Sequence, residues 1–233
     1  MKNLNKNQKD ALKNFLLDFI TEERKQNFED KIKNRTQHVC VALENIYQAQ
    51  NASAVLRTCD CFGVQDVHII EDFNEYNINP TVALGSDKWL NLKRYNEENQ
   101  NGSLKCISHL REQGYTIAAT TPHTDDVLLT EYPIDNKTAL FFGTELKGLS
   151  KTVMENADVF IKIPMYGFTE SYNISVSAAI SIFHLTEKLR KSNINWKLNS
   201  ENQNDILLQW LQSSINNSDL IIQKYLSDNN LSF

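Results

Sequence analysis

The sequence predicts an α/β fold, a mostly parallel sheet flanked by helices at both ends. From His38 onward, short apolar runs alternate with helical segments: HVCVAL, NASAVLRTCDCFGV, DVHIIE, LNLKRY, SLKCISHLREQG, YTIAAT, TALFFG and VFIKIP. Strand–helix–strand crossovers produce this order. Runs such as TALFFG and YTIAAT lack apolar–polar alternation, as expected of strands covered on both faces.

Before this domain, the pattern reads as two helices, Gln8 to Ile20 and Thr21 to Arg35, with Thr21 as a cap and Glu23 and Arg24 as first-turn charges. After it, a helix runs from Asn173 to about Lys191, and two amphipathic segments follow, Asp205 to Gln212 and Ser218 to Leu226. The expected organisation is a helical appendage over 1–36, a core over 37–191 and a second helical appendage over 192–233.

A chain of 233 residues that is 41% hydrophobic suffices for one core. With 4 prolines and 7 glycines, collagen-like and flexible-linker readings have no material. Apolar runs of about five residues fall far short of the roughly 20 that cross a bilayer, and the amino terminus carries no secretory h-region. A cytoplasmic protein is expected. The four cysteines form no CxxC pair and the five histidines are scattered, so no metal centre is signalled.

Net charge is -5, but residues 1–36 carry nine Lys/Arg against six Asp/Glu, 37–185 ten against eighteen, and 186–233 five against five. The segment EKLRKSNINWK adds a second local excess, four basic residues to one acid. Such runs commonly just solvate a helix face. They are also the places where a polyanion would touch this acidic chain, through Arg24, Lys25, Lys31, Lys33 and Arg35 on one side and Lys188, Arg190 and Lys191 on the other.

Because glycine is scarce, Gly143, Gly148 and Gly167 carry weight, each lying beside an expected strand end. Ligands bind open α/β sheets at the strands' carboxyl ends. LFFGTELKGLS runs from a buried strand through a turn into a helix capped by Ser150. IKIPMYGFTESYNISVSAAISIF leaves a strand at Pro164 and enters a helix by way of Ser171 and Asn173. ALENIYQAQNASAVLRTCDCFGV follows the first strand with a polar loop and a helix bearing Asn51 and Arg57. Each has a bland explanation as a tight turn or a capped helix entry. Together they put polar groups after three strands of one sheet, without the GxGxxG or GxxxxGK[ST] of ordinary nucleotide loops.

These three segments resemble the motifs of the SpoU (TrmH-type) class of the SPOUT superfamily, RNA ribose 2′-O-methyltransferases. The first motif matches Asn51-Ala-Ser-Ala-Val-Leu-Arg57-Thr58. The second matches Phe142-Gly143-Thr144-Glu145 through Gly148-Leu149-Ser150, and the third Ile163-Pro164-Met165-Tyr166-Gly167 through Ser171-Tyr172-Asn173 to Ser177. The likeness spans about residues 21–190 and is greatest to the branch that methylates the D-loop guanosine at tRNA position 18. Tyr172 stands where many relatives have Leu, and Ala49-Gln50 replaces a common Pro-His.

The resemblance implies a carboxyl-terminal trefoil knot, a rare exception to unknotted topology, a homodimer, and S-adenosylmethionine as cofactor. It places the cofactor against Thr120, Gly143, Ile163, Met165 and Tyr172. It places Arg57 at the reacting hydroxyl and adjacent phosphate, with Asn51, Glu145, Ser171 and Asn173 positioning substrate and Arg57. A guanidinium with pKa above about 12 is almost never neutral, so clamping phosphate and stabilising the developing alkoxide is the milder role for Arg57, against general base. Other readings are a ribosomal RNA methyltransferase, a catalytically inactive RNA-binding module, and an α/β enzyme for an unrelated nucleotide. The inactive module would lack Arg57, Ser171 or Asn173, all present here, and the unrelated nucleotide would call for a Gly-rich phosphate turn, which is absent.

Overall fold

The computed structural model describes residues 4–96, 101–122 and 127–231. Among these, seven strands form one sheet: β1 (Val39–Glu44), β2 (Asp66–Ile70), β3 (Asn91–Tyr95), β4 (Thr116–Thr120), β5 (Val127–Leu128), β6 (Thr138–Phe142) and β7 (Val159–Lys162). Their order is β3-β2-β1-β6-β4-β7-β5, and every pairing is parallel. All the carboxyl ends therefore lie along one edge. The helices are α1 (Lys6–Leu17), α2 (Glu22–Ile32), α3 (Ala49–Phe62), α4 (Pro80–Ala83), α5 (Gly102–Glu112), α6 (Lys151–Asn156), α7 (Ile174–Lys191), α8 (Ser200–Ser214) and α9 (Ser218–Asp228). None is long and apolar enough to cross a membrane.

The missing alternation now has its cause. Val39, Val41 and Leu43 of β1 face Val55 of α3 and Ala178 and Ile182 of α7, while Cys40 and Ala42 face Cys106, Ile107 and Leu110 of α5. Both faces are covered, so every β1 residue is buried. Strand β5 leaves no sequence signal, because two residues are too few to show a pattern. Thr21 does cap α2, accepting from the Arg24 amide at 3.3 Å. Helix α1 starts earlier than its apolar pattern suggested, because Asn5 and Gln8 form a reciprocal capping box.

The chain divides into two compact units, Met1–Arg35 with Lys197–Phe233, and Thr36–Trp196. In the terminal unit α1 packs on α8, Leu12, Leu16, Ile206 and Trp210 are buried, and Phe28 meets Trp210 edge-on at 5.4 Å. The two ends of the sequence thus share a core. An amphipathic stripe says that a helix face must be covered, not by which helix.

One buried base makes the sheet unit acid-sensitive. Burial pushes the His68 imidazole down to about 3, with Tyr95 Oη 3.0 Å from Nδ1. An unfolded imidazole titrates near 6.5, so below that pH the unfolded chain binds a proton that the folded chain refuses. Stability should be unaffected by this group above about pH 6.5 and should fall by up to roughly 1.4 kcal/mol per pH unit between there and about 3. His68→Gln should flatten that dependence, as thermal melts between neutral pH and pH 4.5 will show.

Candidate active site

The loop after β6 is shaped by two glycines. A Cβ on Gly143 would stand 2.2 Å from the Gly148 carbonyl carbon and oxygen, so no side chain fits there. Thr144 and Gly148 exchange both backbone hydrogen bonds at 2.9 Å, and Gly148 has φ +66°, where L side chains are disfavoured. The loop closes on itself and leads into α6, whose cap Ser150 accepts from the Val153 amide at 3.2 Å.

This loop and the segment after β7 enclose a cavity of about 330 Å³, within the roughly 300–1,000 Å³ of small-molecule sites. All five cofactor candidates line it: Thr120, Gly143, Ile163, Met165 and Tyr172. Glu145 and Ser171 also reach it. Thr120 is held by donating to the Phe141 carbonyl at 2.7 Å. Phe142, Leu149, Met154 and Ile174 supply apolar wall. Among the described residues, the backbone amides of Met165 and Tyr172 make no backbone hydrogen bond. Apolar walls with available amides suit a buried purine, which offers ring nitrogens as acceptors.

Beside the cavity, three elements join through one hydrogen-bonded chain. Asn51, in the first turn of α3, is 8% exposed. Its Nδ2 donates to Gln48 Oε1 at 3.1 Å and, in a short contact, to Glu145 Oε1. Its Oδ1 accepts from Asn173 Nδ2 at 3.2 Å. Asn173 caps α7, accepting from the Ser175 amide at 2.8 Å and its hydroxyl at 2.6 Å. The sequence-predicted Asn51, Glu145 and Asn173 are therefore in contact, with Ser171 exposed nearby in the chain.

Arg57 is not brought to this group. It is exposed and makes no hydrogen bond or ion pair among the described residues. Six helical steps separate it from Asn51, about 9 Å along α3 and about 120° around it by the shorter arc.

The basic candidates divide. Arg24 is exposed and lies 3.4 Å from Ser214 Oγ; Lys31 is exposed; Lys25 pairs with Glu22 at 2.6 Å and Lys33 with Asp30 at 3.4 Å. Arg35, expected among the phosphate contacts, is 6% exposed and its guanidinium lies over Trp210, 5.2 Å from the ring centre, where it serves packing. Lys188 donates to the Tyr132 carbonyl at 2.5 Å, and Arg190 to the Phe62 carbonyl at 2.6 Å. Both heads are engaged within the sheet unit. Lys191 is exposed and lies 3.6 Å from Glu187.

Comparison with known proteins follows the same lines. Residues 38–183 match the model of the SpoU rRNA Methylase family. A tRNA (guanosine(18)-2′-O)-methyltransferase of Borreliella burgdorferi is 43% identical over 87% of this chain and 91% of its own length. The crystal structure of the A. aeolicus TrmH/SpoU tRNA modifying enzyme superposes with TM-score 0.74 at 27% identity, covering 84% of this chain and 98% of that one. The SpoU methyltransferase AviRb from Streptomyces viridochromogenes, solved in complex with AdoMet, shares the fold with TM-score 0.58 at 19% identity, over 70% of this chain and 65% of its own.

Proposed function

Because the chain belongs to the SpoU methylase family, we propose that it is an S-adenosylmethionine-dependent RNA 2′-O-methyltransferase whose substrate is guanosine 18 of tRNA. The observation that carries the reading is the cavity of amides and apolar walls abutting the Asn51–Glu145–Asn173 chain.

The cofactor supplies an activated methyl group on a sulfonium, already a good leaving group, so the protein's tasks are alignment and charge stabilisation at a weak ribose nucleophile. Thr120, Gly143, Ile163, Met165 and Tyr172 hold the donor. Asn51, Glu145 and Asn173, fixed to one another, orient the ribose, with Ser171 as a further polar contact. Arg57 clamps the adjacent phosphate and, as a permanent cation, stabilises the alkoxide that develops as the 2′-hydroxyl gives its proton to solvent water and its oxygen takes the methyl group.

A homodimer is part of the proposal. Val176 and Phe183, 44% and 53% exposed, stand seven residues apart on one face of α7, and Arg57 lies far around α3 from Asn51, which suits its delivery to the site of a second copy. A trefoil knot in the stretch from β6 to α7, whose two loops share the cavity, belongs to the same reading. Its tRNA substrate places the work in the cytoplasm.

Arg24, Lys25, Lys31 and Lys33, with Lys191, are proposed as phosphate contacts. Changing Arg24, Lys31 and Lys33 to Gln together should flatten the dependence of log affinity for tRNA on log salt by about 0.7 to 0.9 per lost contact. Cofactor affinity should not move. An unchanged slope would remove these side chains from the interface.

The substrate class is tested by methyl transfer from labelled cofactor to purified tRNA and to ribosomal RNA at equal nucleotide concentration. Transfer to tRNA alone is expected. Transfer to ribosomal RNA alone would replace the substrate, and transfer to neither would refute the enzyme.

A further inference from the structure

Glu44 is a buried acid that the reaction just described leaves unused. It ends β1 and is 1% exposed. A carboxylate so placed must be satisfied by donors, and it is. Ser150 donates twice, from its amide to Oε2 at 2.7 Å and from its hydroxyl to Oε1 at 2.6 Å; Ser103 Oγ donates to Oε1 at 2.6 Å.

The Ser150 hydroxyl has a single proton. With that proton on Glu44, its lone pairs face the Val153 amide, so the carboxylate sets the orientation in which Ser150 caps α6. Ser150 is also where the Gly143–Leu149 loop ends, and Leu149 lines the cavity. At the loop's start, Leu43 and Phe142 are register partners on adjacent strands, which puts Glu44 beside Gly143. One side chain thus stands next to the loop's first residue and grips the residue after its last.

The Ser103 arm is different. The start of α5 has its own acceptor in Asp72, which takes the Gly102 amide at 2.7 Å and the Ser103 amide at 3.2 Å, with Ser103 Oγ 2.9 Å away. Helix α5 is therefore anchored without Glu44. Among the described residues, no second acceptor takes the Ser150 amide.

We propose that Glu44 is a positioning residue for the methyl donor: it holds the Gly143–Leu149 loop in the shape that walls the cavity, and so sets cofactor affinity. The inference rests on assigning that cavity to S-adenosylmethionine.

The test uses the full chain with Glu44→Gln, Ser150→Ala, Ser103→Ala and the Glu44→Gln/Ser150→Ala double variant, measuring S-adenosylmethionine affinity by calorimetry, tRNA affinity and thermal stability. Glu44→Gln turns one acceptor oxygen into a donor facing Ser150 or Ser103, and should weaken cofactor binding about tenfold while tRNA affinity stays the same. Ser150→Ala should also weaken it, and the double variant should be no worse than Glu44→Gln by more than about twofold, because both changes break one connection. Ser103→Ala should lower the melting temperature yet leave cofactor affinity within about twofold.

Cofactor binding by Glu44→Gln within about twofold of the unaltered chain would overturn the proposal. So would equal weakening by Ser103→Ala and Ser150→Ala, which would reduce Glu44 to general stability. Should Glu44→Gln not fold, that pair of serine variants decides alone. An unaltered chain that binds no S-adenosylmethionine would overturn the cofactor reading and this inference together, a result distinct from unaltered and altered chains binding alike.

Discussion

Arg57→Ala is expected to abolish methyl transfer while leaving the fold and the cofactor site intact. The side chain is exposed and unpaired among the described residues, so its removal costs no packing and should shift stability by less than about 0.5 kcal/mol. It does not line the cavity, so cofactor affinity should be unchanged. Loss of a single stabiliser of developing negative charge commonly costs about 10²–10³ in rate, and here a phosphate clamp is lost with it. Arg57→Lys should fail as well, since a point charge cannot reproduce a planar fork. Single-turnover rates with saturating cofactor decide the matter; a rate within about tenfold of the unaltered chain in either variant is too small a loss for this role.

Gly143→Ala should have an effect of similar size for the opposite reason. The added methyl would stand 2.2 Å from backbone atoms of Gly148, and backbone cannot swing aside as a flexible side chain does. The Thr144–Gly148 pairing must open or the loop must shift. Displacements of about 1 Å can cost 10²-fold in a positioned site, so calorimetry should find cofactor affinity reduced by about that factor. Undiminished affinity would mean that the loop does not form the cofactor wall.

The fold was legible in the sequence because its signals are local. Burial on both faces leaves runs such as TALFFG, whose β6 is buried throughout, and caps leave Thr21, Ser150 and Asn173 at helix starts. The five residues that the family resemblance set against a cofactor line one cavity; no local signal in the chain marks them as a set. What stayed hidden is non-local. Arg35 reads as one more cation of a basic run, and only the approach of α8 puts Trp210 beneath it. Lys188 and Arg190 look like a solvated helix end, yet each finds a carbonyl 56 or 128 residues away. Glu44 lies inside an apolar run, where a lone acid signals nothing until Ser103 and Ser150 are brought to it. Arg57 shares a motif with Asn51, but helical geometry turns the two apart.

The central claim is tested most directly by nucleotide-resolved mapping of ribose methylation in unmodified tRNA incubated with the purified chain and S-adenosylmethionine. The account predicts one new 2′-O-methyl group, on guanosine 18, dependent on the cofactor and absent with Arg57→Ala. A methyl group on a base, or on the ribose of another nucleotide while guanosine 18 stays unmodified, would contradict it.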